Sequence, residues 1–168
     1  MSEPEVWLRG PVPDIAPLLQ PVAHSLLQCR LEVRATVPTL SDSELWATPG
    51  GAAPAGYHVR HAIGSLDRLF TYARGEQLSP TQQRALAAEG KSEERVAIQE
   101  SLVADFDAAI QRALDQLRAT DPATLLQKRE VGRARLPSTV LGLLFHAAEH
   151  TQRHVGQLVT TSKVVRGG

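Results

Sequence analysis

Proline placement constrains this chain most. Its eleven prolines leave four long stretches, 21–37, 55–73, 92–119 and 138–161, free of any proline beyond a first position. Proline inside a helix removes a hydrogen bond and clashes with the preceding turn, so these stretches are where long helices can run. Pro21 opens the first stretch, where its missing N–H costs nothing, and Pro38 closes it. Within it, Val22, Leu26, Cys29 and Val33 recur at helical steps of three and four. Ahead of it, prolines 11, 13 and 17 forbid a regular helix.

The connections carry their own stop and start signals. Ser41-Asp42-Ser43-Glu44 is a capping box for a short helix through Trp46, and Pro49-Gly50-Gly51 marks a turn. Gly75 suits the end of the second long helix. Ser79-Pro80-Thr81-Gln82 starts a short helix that closes at Gly90. Glu93 and Glu94 sit favourably at the positive end of the third long helix, and Asp121-Pro122 caps one short turn. Residues 128–136 alternate poorly and read as loop or a short extended piece. Ser138 is the expected cap of the last helix, which should run to about Thr161. Aromatic residues are only 4% of the chain, which starves sheets more than helices. The expectation is an all-α fold: one domain over 1–168, a four-helix bundle with short extra helices in the connections, irregular at 1–13 and 163–168.

Charge and cysteine content narrow the function. Eighteen basic residues balance eighteen acidic ones, against the positive excess that phosphate binding needs, so nucleic acid is not the expected partner. No apolar run is long enough for a membrane span, and the acidic start Met1-Ser2-Glu3-Pro4-Glu5 lacks a secretory signal. The single Cys29 has no internal partner and fits a reducing compartment. A cytoplasmic location is expected.

The six histidines are grouped: His24, then His58 with His61, then His146, His150 and His154. In the last helix Leu143, Ala147, His150, His154 and Leu158 fall in one stripe roughly 80° wide, with Gln157 beside it. Two imidazoles on an otherwise apolar face need partners for their ring nitrogens. Histidines at i and i+4 chelate zinc and similar ions; each ring satisfying itself on the backbone is the plain alternative. His146 lies about 60° off the stripe, a place at the rim or in an outer shell. On the second long helix, Ala62, Leu66, Leu69, Phe70 and Ala73 make the apolar face. His58, His61, Ser65, Arg68 and Tyr72 make a polar one, either a solvated face or the wall of a wet cavity. One histidine from this helix joining His150 and His154 would give three nitrogen ligands with a coordination position open, the pattern of catalytic metal. Zinc, nickel, manganese and iron all accept imidazole.

Two blocks carry a family resemblance. His61-Ala62-Ile63-Gly64-Ser65-Leu66-Asp67-Arg68-Leu69 is similar to the second-helix signature of DinB-like (YfiT-type) four-helix-bundle proteins. His150-Thr151-Gln152-Arg153-His154-Val155-Gly156-Gln157 resembles the closing H-x-x-x-H-x-G-Q block of that family, with Arg153 where many members have histidine. The resemblance covers nearly the whole chain. It implies a divalent metal on His61, His150 and His154, with His58 an alternative ligand or outer partner. It implies a homodimer, and close helix approach at Gly156. It also implies an activity class: metal-dependent transfer to a low-molecular-weight thiol of the bacillithiol or mycothiol type, from a small electrophile. The metal would stabilise the thiolate. Arg68 and Tyr72 are candidates for orienting the thiol or polarising the substrate, and Gln157 for bonding a ligand or the chain; as plain readings, Arg68 is a surface residue, Tyr72 a surface or packing residue, and Gln157 makes an interior polar bond. A metal-dependent hydrolase fits the same ligands, and a non-catalytic metal-binding stress-response bundle is the reading from another class.

Overall fold

The computed structural model describes residues 3–89 and 99–167. Four long helices form where the prolines allow: α1 (Gln20–Thr36), α3 (Ala55–Ala73), α5 (Gln99–Ala119) and α6 (Val140–Val165). Short helices α2 (Asp42–Leu45) and α4 (Pro80–Ala88) occupy the connections. Both α2 and α4 start with a complete capping box, Ser41 with Glu44 and Ser79 with Gln82. Each box satisfies two backbone donors that the first turn leaves free. α3 ends on Gly75 at φ 83, where the amides of Gly75 and Glu76 bond back to Tyr72 and Thr71. The expected closure at Gly90, the start at Ser92 and the roles of Glu93 and Glu94 lie outside the described residues.

Three boundaries differ from expectation. Residues 128–136, read as loop or a short extended piece, belong to a two-stranded antiparallel hairpin, β1 (Lys128–Val131) with β2 (Leu136–Thr139), in register Lys128 to Thr139. Its signal was weak because Pro137 sits in β2, which at a sheet edge tolerates a missing donor. The hairpin is tied to the bundle by Arg129, whose Nε donates to the Ala73 carbonyl at 2.8 Å. β2 then runs straight into α6, so the cap falls one residue later than expected: Thr139, not Ser138, accepts from the Gly142 amide at 3.0 Å. α6 also continues past Thr161 to Val165, so 163–165 belong to the helix. The proline-rich start makes only two single turns, Val6–Leu8 and Pro17–Leu19.

α6 packs on α3 and α1, and α5 packs on the same two helices, so the long helices form a ring around one apolar core. Leu26, Val33, Phe106, Ile110, Leu117, Leu144 and Leu158 sit fully buried in it. No described helix is long and apolar enough to cross a membrane.

Candidate metal centre

Among the described helices α3 and α6 pack on each other most extensively, and their facing sides are where the histidines meet. One ring nitrogen from each of His61, His150 and His154 lies within 4.8 Å of the other two. His61 Nε2 and His150 Nε2 are 3.0 Å apart, and the ring centroids of His61 and His154 are 4.4 Å apart. The stripe on α6 is therefore turned inward as its spacing predicts, flanked by buried Leu143, Ala147 and Leu158.

Each of these rings has a different outer environment. His61 Nδ1 donates to Glu89 Oε2 at 2.9 Å, and Arg68 grips the same carboxylate at 2.5 Å through Oε1. Burial pushes the Glu89 carboxyl up, but hydrogen bonds from His61 and Arg68 outweigh it and hold it below the usual range. Gly64 makes room for this pair, because a Cβ there would stand 2.5 Å from Glu89 Oε1 and 2.8 Å from the Arg68 guanidinium. His154 Nδ1 lies 3.1 Å from Nδ1 of buried His58, which is also hydrogen-bonded to the Ala53 backbone. His150 Nδ1 is buried without a hydrogen-bond partner among the described residues. Burial, and then the repulsion a protonated His61 would exert, lowers His58, His150 and His154, the last to about 4. All three are neutral at pH 7, which is the ligating form.

Other candidates are placed less closely. His146 is exposed, 5.5 Å from the His150 ring and paired with Glu149. Arg68 is buried and held by Glu89, not a surface residue. Tyr72 is buried but three helical turns from His61, about 16 Å along α3. The tyrosine beside the centre is Tyr57, stacked on His61 at 5.6 Å. Gln157 is exposed and makes no hydrogen bond to the described residues. Gly156 permits no close helix approach: a Cβ there would meet nothing within 4 Å. The polar side of α3 is not a solvated face, since His58, Ser65, Arg68 and Tyr72 are all buried. Sequence reasoning missed Glu89 and Tyr57. Only the His61-to-Gly64 spacing hinted at Glu89, by leaving a gap one turn from the histidine. His24 is the plain case, its ring bonded to the Gly10 carbonyl at 2.9 Å.

The residues fit a divalent ion. Three imidazole nitrogens suit zinc and its neighbours, and two nitrogens sharing a tetrahedral zinc stand roughly 3.4 Å apart, near the 3.0 Å seen here. The orphaned His150 Nδ1 shows that the rings do not satisfy one another fully without a further partner. Cys29, fully buried in the core, is remote in character: burial pushes its thiol up to about 12.

A family model described as the DinB superfamily matches residues 25–158. Among solved structures, one described as "YfiT from Bacillus subtilis is a probable metal-dependent hydrolase with an unusual four-helix bundle topology" aligns with a TM-score of 0.60 at 16% identity. The alignment covers 90% of this chain and 91% of that chain. At that identity the likeness establishes the four-helix-bundle fold. No curated protein matches the sequence significantly.

Proposed function

The chain belongs to the DinB superfamily, and from that premise we propose that it is a metal-dependent enzyme in which His61, His150 and His154 hold one divalent ion. The observation that carries this reading is the convergence of three imidazole nitrogens, from two helices, within 4.8 Å. A divalent ion on three neutral nitrogens keeps its full charge, and would acidify a thiol or a water coordinated to it.

The reaction proposed first is transfer of a small electrophile to a low-molecular-weight thiol. Cys29 supports an external thiol, because the chain's own sulfur is buried and its thiol pushed up to about 12. The chain's part is to hold and orient. Glu89, clamped by Arg68, fixes the His61 ring, and Tyr57 covers one face of that ring. Arg68 is committed to Glu89, so it does not serve as the anchor for the thiol. Hydrolysis is the second reading, supported by the description of the similar YfiT structure as a probable metal-dependent hydrolase and by the fit of the same three ligands to a metal-bound water.

The experiment starts with elemental analysis of protein purified without an affinity tag, and continues with electrophile turnover with and without added thiol. Stoichiometric metal and thiol-dependent turnover support the transferase. Turnover that ignores thiol selects the hydrolase, and a metal-free parent that takes up no added divalent ion overturns both. A small-molecule substrate, a cytoplasmic setting and a homodimer belong to the same proposal, and sedimentation of the parent tests the last.

A further inference from the structure

α4 buries no residue of its own, and a helix of nine residues is marginal without packing. Along 80–89 only Gln82, Ala88 and Glu89 are not exposed. Between α4, α3 and α5 lies a cleft of about 320 Å³, lined by Gly64, Ala85, Glu89 and Leu102, in place of close packing. Two polar clamps hold α4 on α3 instead. Gln82 makes the first: its Oε1 accepts from the Ser79 amide at 2.8 Å, closing the capping box, while its Nε2 donates to Asp67 Oδ2 at 2.7 Å and to Thr71 Oγ1 at 2.8 Å. Glu89 makes the second, accepting from His61 and from Arg68. Gln82 and Glu89 are seven residues apart, about 10 Å along α4, and Asp67 and His61 are six apart, about 9 Å along α3. The clamps thus match in spacing with the two helices antiparallel, and each sets the place of the other.

We propose that Gln82 is a positioning residue for the metal centre: anchored on Asp67 and Thr71, it docks α4 so that Glu89 is held against His61, and the docking of α4 is linked to occupancy of the three-histidine site. This rests on the metal-site reading above and adds a control point outside the ligands. Coordination at one nitrogen of the His61 ring makes the N–H on the other a stronger donor to Glu89, so occupancy tightens the second clamp. By reciprocity, whatever keeps Glu89 in place raises affinity for the ion. A helix with few buried contacts opens locally at low cost, so a term of this size is enough to shift it.

The test uses the full chain, both loaded with Zn2+ and stripped by chelator. Zn2+ should slow amide hydrogen exchange across 80–88. Gln82→Glu keeps an acceptor for the Ser79 amide but turns a carboxylate towards Asp67 in place of the N–H donor. It should speed that exchange and lower Zn2+ affinity, by chelator competition, about 3- to 10-fold, short of the loss of about 10- to 100-fold expected for Glu89→Ala. Adding Asp67→Asn to Gln82→Glu returns an amide donor from the other side and should recover part of the loss. In a Glu89→Ala background Gln82→Glu should change affinity no further, because its effect passes through Glu89; a role in general stability would not show that dependence. Exchange in the parent that ignores Zn2+, parent affinity in Gln82→Glu, or an equal loss with and without Glu89 overturns the proposal. If Gln82→Glu does not fold, the Zn2+ dependence of exchange in the parent decides. A parent that binds no Zn2+ sinks the metal reading, whereas exchange in stripped Gln82→Glu and Glu89→Ala still judges the two clamps: α4 as slow as in the stripped parent overturns them.

Discussion

The buried faces of α1 and α5 and the seam between α3 and α6 solve the same packing problem with different chemistry. The buried residues of α1 are Val22, Ala23, Leu26, Cys29 and Val33, and those described on α5 run from Leu102 to Leu117 with no polar side chain among them. α3 buries His58, Ser65, Arg68, Thr71 and Tyr72, and α6 buries Thr151, Thr161 and Ser162. An apolar face is satisfied by any close-packed neighbour. A polar face is stable only when particular atoms meet, and some of those atoms come from elsewhere in the chain: Glu89 follows α4, and the Ala53 carbonyl precedes α3.

The sharpest way to break this contrast is to remove one ligand. His150→Ala and His154→Ala should each lose stoichiometric metal by elemental analysis while keeping a helical circular-dichroism spectrum. Retention of the parent's metal by both would mean that the seam is polar for structural reasons only. On the other side, Phe106→Ala, at a fully buried position of α5, should cost about 3–5 kcal/mol in urea unfolding and leave metal stoichiometry unchanged in the folded protein. Metal loss from folded Phe106→Ala would show that the two regions are not separable.

The same contrast explains what the sequence made legible. The long helices could be read because an apolar face repeats at a fixed period and prolines mark its ends; α3 falls at Ala55–Ala73 as its pattern predicts. His61, His150 and His154 were legible because two of them share one face of one helix and the family resemblance points to the third. Glu89 was not, because nothing local marks a glutamate whose partners, His61 and Arg68, lie more than twenty positions upstream. Tyr57 and Tyr72 show the limit of helical periodicity. Both lie near the His61 direction in projection, yet only Tyr57 is at the same height. Of the hairpin only a short extended piece was legible, because its strands have four residues each and one contains a proline.

Gly64→Ala sharpens the comparison from within the polar seam. The added methyl meets the ends of two flexible side chains, so the expected cost is moderate, about 1–3 kcal/mol by urea unfolding. Its larger signature should be a weaker hold on metal, since displacing Glu89 frees the His61 ring. A variant with parent affinity would show that the Glu89–Arg68 pair is not needed to orient that ring.

Acid should also act on the polar seam. His154 stands at about 4 in the folded protein, against about 6.5 in an unfolded chain. Between those values the unfolded chain binds the extra proton, so falling pH favours unfolding. Metal-free protein should therefore lose stability as pH drops from about 6.5 towards 4, with His58 and His150 acting in the same direction. Urea midpoints across that range measure it. In His154→Phe the slope should flatten, and an unchanged slope would mean that other groups set it.

The smallest effect should come from Cys29, which lies on the buried apolar face of α1. Cys29→Ala removes one sulfur from a closed core, so its expected cost is about 1 kcal/mol. Metal stoichiometry and thiol-dependent turnover should both stay at parent levels, because a thiol pushed up to about 12 supplies almost no thiolate at neutral pH. The same burial predicts that the folded parent resists a chromogenic disulfide reagent at pH 8 and reacts once urea unfolds it. Fast native labelling, or loss of turnover in Cys29→Ala, would place the chain's own sulfur in the chemistry and remove the reason for invoking an external thiol.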